Sequence, residues 1–103
     1  MEYVIRHDGA VGEVAFRGRW TLFDANGFKP LLVEISEAEP RDWRLDVTRV
    51  EFIDSAGLGM LLIGRDTIAR KGGTATLAGL GVGGQVGRAL KGARFRDLFA
   101  FEA

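Results

Sequence analysis

The chain has no cysteine, one histidine and two prolines among 103 residues. Without cysteine there are no disulfides, no zinc-thiolate sites and no thiol nucleophile. This fits a reducing compartment, and a cytoplasmic location is expected. One histidine leaves only carboxylates for a metal, so no metal or other cofactor is expected. It also leaves a Ser55–His7–Asp triad to be assembled from the first strand, without the G-x-S-x-G elbow. His7 reads instead as a solvated turn residue. Net charge is zero, with 14 basic and 14 acidic side chains and no long block of one sign. That gives no general electrostatic attraction to nucleic acid or to an anionic membrane. The apolar runs are too short to cross a bilayer, and the alternating start, Met1 to Gly9, lacks the apolar run of a signal peptide.

What is present suits one small α/β domain spanning 1–103. Apolar residues make up 47% of the chain, enough for a working core at this size. Tyr3–Ile5 and Val11–Phe16 read as strands joined by an Asp8-Gly9 turn. Gly18–Gly27 reads as a loop merging into a helix. Phe28, Leu31, Leu32, Ile35 and Ala38 then recur at helical spacing, with Asp24 as candidate N-cap and Pro40 as the stop. Pro30 implies a helix starting a few residues earlier or a distorted first turn. Arg44–Thr48 is a short strand, and Val50, Phe52 and Ile53 lead into Asp54-Ser55. A second helix is expected over about 55–70, ended by Lys71-Gly72-Gly73. Strand 74–78, a glycine-weakened helix 82–90 and strand 98–101 complete the order β-β-α-β-α-β-α-β. Alternation of this kind predicts a mixed, mostly parallel sheet of about five strands, with an antiparallel first edge strand and helices packed on the sheet.

The stretch from Val50 to Leu62 carries the chemistry. An apolar strand end runs into Asp54-Ser55, then small residues, then a helix. Ser55 should sit at or next to the N-cap, beside backbone N–H groups with no helical partner. A phosphate there would meet those donors and the positive end of the helix dipole. It would add about −1.5 to −2 charges without breaking the fold. Gly57 and Gly59 each cost about 1 kcal/mol against alanine in a helix, so something should offset them. Either another surface approaches the helix backbone closely, or the glycines pack against the module's own sheet. Trp20, Leu22, Phe23 and Phe28 form an apolar cluster nearby. Phe28 continues the helical stripe into the core, and Phe23 reads as an interface anchor.

Asp54-Ser55-Ala56-Gly57-Leu58-Gly59, preceded by Val50-Glu51-Phe52-Ile53, resembles the signature of anti-sigma-factor antagonists and the wider STAS family. Gly18 to Thr21, Lys71 to Gly73 and Arg94 to Phe99 extend the resemblance over most of the chain. It implies a non-enzymatic partner switch. The unmodified protein would bind a GHKL-type serine kinase that is also an anti-sigma factor. Phosphorylation at Ser55 would end binding, and a PP2C-type phosphatase would reset it. Asp54, Ala56 and Gly57 would shape the acceptor site. Thr21, Leu22, Phe23, Asp24, Leu58, Gly59 and Met60 would form the docking face of a monomer or weak dimer. Many kinase-substrate members carry an acidic residue where Thr21 stands, and a proline or better helix former where Gly83-Gly84 stands.

Two other readings remain open. One is a STAS subunit of a phospholipid-transport ABC complex docking on its ATPase, suggested by the apolar 20–23 loop. The other is a small-nucleotide sensor, suggested by the glycine-rich 79–84 loop. That loop spells G-x-G-x-x-G, but a dinucleotide fingerprint needs a full βαβ unit and an acidic residue about 20 positions on. Only one short strand follows, and Glu102 holds the acidic place by count alone.

Overall fold

The structure, a computed structural model, describes residues 1–102. Its strands are β1 (Glu2–Arg6), β2 (Val11–Trp20), β3 (Asp42–Ile53), β4 (Ala75–Ala78) and β5 (Ala100–Glu102). The helices are α1 (Ala25–Glu37), α2 (Ser55–Arg70) and α3 (Gly84–Gly92), with 3-10 turns at Leu22–Asp24 and Phe95–Asp97. The sheet runs in chain order, with β1 antiparallel to β2 and every later pair parallel. Right-handed crossovers that all step the same way put the three helices on one face. That face holds one core, built from alternate residues of β2 and β3 and the apolar stripes of the helices.

The expected element order holds, but the two long strands were underestimated. β2 continues through Gly18 to Trp20 where a loop was expected. Gly18 has φ 88° beside a register shift whose extra residue is Glu51 of β3, so the strand passes this point rather than ending there. β3 is one strand, not a short strand and a tail. Its alternation breaks at Thr48-Arg49, both exposed, because a second register shift absorbs a residue opposite Ala15–Arg17. Asp46 braces that shift by accepting the Thr48 N–H at 2.9 Å and the Thr48 hydroxyl at 2.6 Å. Helix α1 starts at Ala25, so Pro30 lies inside it on the exposed side. The last strand starts two residues later than expected, because a 3-10 turn occupies Phe95–Asp97.

The helix-free face of the sheet is charged. Arg44 joins Glu13 at 2.8 Å and Glu102 at 2.7 and 2.8 Å, with Asp46 at 3.4 Å. Burial raises the Asp46 pKa, but the Thr48 hydroxyl and N–H, with Arg44, pull it below the ordinary carboxylate value. The unfolded chain therefore binds the proton more readily, and this contribution to stability is lost as pH falls through the lowered value. The urea midpoint is expected to drop steadily below about pH 5, with a shallower slope in Asp46→Asn. A wild-type midpoint that stays flat between pH 5 and pH 3 would contradict this.

Candidate functional site

The site lies where β2 and β3 end together. Trp20 and Ile53 are paired, and the Asp54 N–H reaches the Trp20 carbonyl at 3.1 Å. β4 stops far short of this end, since its last contact with β3 is Ala78 with Asp46. A side chain from α3 takes its place. Gln85 accepts the Ile53 N–H at 2.9 Å and donates to the Ile53 carbonyl at 2.6 Å. The chain is thus fixed just before it turns into α2.

Asp54, not Ser55, is the N-cap of α2. Its Oδ1 accepts the Gly57 N–H at 2.8 Å and its carbonyl accepts the Leu58 N–H at 3.0 Å. Aspartate and serine cap about equally well, so the backbone geometry decided between adjacent candidates. The other carboxylate oxygen, Oδ2, accepts the Leu22 N–H at 3.1 Å. One side chain therefore fastens the start of α2 to the 3-10 turn after β2. Ser55 is the first helical residue and is exposed. With the Gly57 N–H taken by Asp54, the N–H groups of Ser55 and Ala56 are the ones that helix geometry leaves open to an added acceptor. A phosphate on Ser55 would enter this end of the helix dipole without displacing the cap.

The 3-10 turn is held by a capping box. Thr21 Oγ1 accepts the Phe23 N–H at 3.3 Å, and Asp24 Oδ2 accepts the Thr21 N–H at 2.9 Å. Asp24 is therefore the reciprocal partner of Thr21, and its side chain does not cap α1 as expected. Its Oδ1 also meets the Met1 ammonium at 2.8 Å. The turn presents Leu22 and Phe23 outward, and Phe23 is 96% exposed.

The expected docking residues separate on this geometry. Leu22, Phe23 and Ser55 are exposed at this end of the molecule, with Leu58 and Gly59 half-buried. Met60 does not belong there. It is buried, and its Sδ accepts the Trp20 indole N–H at 3.0 Å. Helical periodicity explains this, since Met60 shares a face with Gly57, Leu61 and Gly64. Trp20 and Phe28 are likewise core residues.

The two glycines have different reasons. A Cβ on Gly57 would lie 2.6 Å from Ile53 Cγ1 and 2.9 Å from the Trp20 carbonyl oxygen, so the module's own strand ends require glycine. A Cβ on Gly59 meets nothing within 4 Å. Gly59→Ala is expected to stabilise the isolated protein by about 0.5–1 kcal/mol. If a partner approaches α2 here, the same variant binds it less well. Thermal melts and partner titration read the two effects separately, and a lower melting temperature would contradict the first.

His7 pairs with Glu34 at 3.1 Å, far in the chain from Ser55. Gly79 to Gly84 does precede a helix, and β4, α3 and β5 form a short βαβ unit, as the element order predicts. Glu102 is nevertheless committed to Arg44 on the helix-free face, so the acidic element of a dinucleotide fingerprint is absent among the described residues. Gln85 and the second bond of Asp54 were not anticipated. A glutamine in a first helical turn carries no local signal of a strand end distant in sequence.

A capped helix start at the end of a central parallel strand, with an exposed apolar turn beside it, marks this chain as a small α/β domain with its candidate site at one end of the sheet. The family described as "Mlab, STAS domain" matches residues 4–99, and the chain belongs to the STAS family. Comparison with curated proteins by sequence found no match. Among solved structures, a Thermotoga maritima protein described as a "putative anti-sigma factor antagonist" superposes with TM-score 0.80 at 19% identity, covering 98% of this chain and 86% of that one. The Bacillus cell-fate determinant SpoIIAA in its phosphorylated form gives 0.71 at 10% identity, covering 99% and 92%. A sulfate transporter family protein from Wolinella succinogenes gives 0.70 at 23% identity, covering 89% and 75%. At these identities the likeness is one of fold. No helix among the described residues is long and apolar enough to cross a membrane.

Proposed function

We propose that this chain is a partner-switching regulatory protein of the anti-sigma-factor-antagonist type, acting in the cytoplasm as a monomer or weak dimer. The unmodified form binds a GHKL-type serine kinase that doubles as an anti-sigma factor. Phosphorylation of Ser55 ends that binding, and a PP2C-type phosphatase restores it. The observation that carries this reading is the exposed Ser55 at the first position of α2, with the helix already capped by Asp54. A phosphoryl group there alters the docking surface while leaving the fold its cap. A fold relative solved in a phosphorylated form supports the reading.

Ser55→Asp is expected to weaken partner binding by about tenfold or more, because a charge enters an interface shaped for a neutral hydroxyl. Ser55→Ala should bind as wild type but resist the kinase. The test incubates the protein with ATP and the serine kinase encoded beside it, then maps phosphate by mass spectrometry. An unmodified Ser55, together with wild-type affinity for Ser55→Asp, would refute the proposal.

A second reading has its own support in the exposed Leu22-Phe23 turn. The module would dock on the ATPase of a phospholipid-transport ABC complex, with no need of phosphorylation. Co-purification with such an ATPase, lost in Phe23→Ala and indifferent to Ser55→Asp, distinguishes it from the first.

A further inference from the structure

We propose that the cavity beside α3 is a binding site for a small phosphate-bearing anion. The chain is neutral as a whole, yet no Asp or Glu occurs between Asp66 and Asp97. The basic residues in the second half of that stretch gather in one place. Arg88 and Lys91 of α3, Arg94 at its end and Arg96 of the following 3-10 turn line a cavity of about 520 Å³. No acidic residue lines it. Among the described residues, the only carboxylate paired to any of the four is exposed Asp97, at 3.1 Å from Arg94 Nε.

The arrangement is more than a solvated helix face. Complementarity to the helix dipole accounts for Lys91 in the last turn, but not for Arg88, Arg94 and Arg96. Arg94 holds φ 59° and ψ 41°, the only positive φ outside glycine among the described residues. Glycine or asparagine usually fills such a position after a helix. Arg96 is steadied over the Phe101 ring at 4.8 Å. Gly83 and Gly84 line it with open space where a Cβ would stand, Gly87 packs against the Val82 carbonyl, and Leu80 and Val82 add apolar surface. The volume is that of an ordinary small-molecule site. Arginine forks match phosphate oxygens in pairs. The apolar surface suits a ring or chain attached to the phosphate. Both a free nucleotide and a phospholipid headgroup present this chemistry.

The test is an amide-shift titration of the whole chain at low salt. Inorganic triphosphate, ATP, and vesicles of phosphatidylcholine with or without phosphatidylglycerol are the probes. Saturable shifts centred on residues 80–96 are expected with at least one of these anions. The double variant Arg88→Gln/Arg94→Gln should weaken binding by about tenfold or more, in keeping with charge-assisted bonds to phosphate. Both side chains are exposed, and circular dichroism checks that the variant folds. ATP bound more tightly than triphosphate assigns a nucleotide. Binding only to the phosphatidylglycerol vesicles assigns a headgroup. No saturable response to any probe, binding unchanged by the double variant, or shifts centred on Arg6, Arg17 and Arg49 of the sheet face overturns the proposal. The switch at Ser55 is untouched by these substitutions, so kinase-partner binding should persist in the double variant.

Discussion

Replacing Trp20 with alanine is expected to lower the unfolding free energy by about 3–5 kcal/mol. The side chain is fully buried at the end of β2. Its ring lies 4.4 Å from that of Phe16 and 5.7 Å from that of Phe28, and its indole N–H donates to Met60. Alanine leaves a cavity between the sheet, α1 and α2 that these rigid elements cannot close. A domain of this size has about 5–15 kcal/mol in total, so the variant should be marginal. The functional consequence is local as well. Trp20 immediately precedes the capped Thr21–Asp24 turn, and its carbonyl holds Asp54. Urea denaturation measures the loss, with Phe23→Ala as the control that stays within about 0.5 kcal/mol of wild type. A loss below about 1 kcal/mol at Trp20 would mean that the packing described here is wrong.

Lys71→Met is expected to cost about 2–3 kcal/mol. The ammonium group donates to three backbone carbonyls: Ile35 at 2.7 Å, Ala38 at 2.6 Å and Pro40 at 2.7 Å. These belong to the end of α1 and the chain leaving it, where carbonyls have no helical partner. Methionine keeps much of the packing of the stem but offers no donor, so those oxygens lose their partner inside the protein. Arginine should not rescue fully, because a planar fork cannot direct three bonds into so small a space. Chemical denaturation of the Met and Arg variants checks both points. Wild-type stability in Lys71→Met would show that water replaces the ammonium without cost.

The contrast between these two residues shows what could be read in advance. The element order, the parallel sheet and the start of α2 follow from period and punctuation, which are local. The Asp-Ser-Ala-Gly run offers two good N-cap residues where an apolar strand ends, a local signal for a helix start. Lys71 was legible as a base in the last turn of α2, but its partners belong to α1. Met60 was misplaced on the docking face because the motif draws attention along the sequence, whereas burial follows the helix around its axis. β3 runs longer than expected because its bulges disturb alternation without ending the strand, and β2 because a glycine at positive φ need not end one. Gly57 and Gly59 look equivalent as letters. Only the position of Ile53 and the Trp20 carbonyl tells the obligatory glycine from the optional one.

The domain measures 34 × 28 × 19 Å across its Cα atoms, a tile one sheet and one row of helices thick. A tile has two broad sides and a rim, and the serine and the Leu22-Phe23 corner occupy one stretch of that rim. A partner bound at this corner, as proposed, would leave the arginine- and carboxylate-studded broad side in water. Such a shape lets the domain be held in one place while it is being read in another.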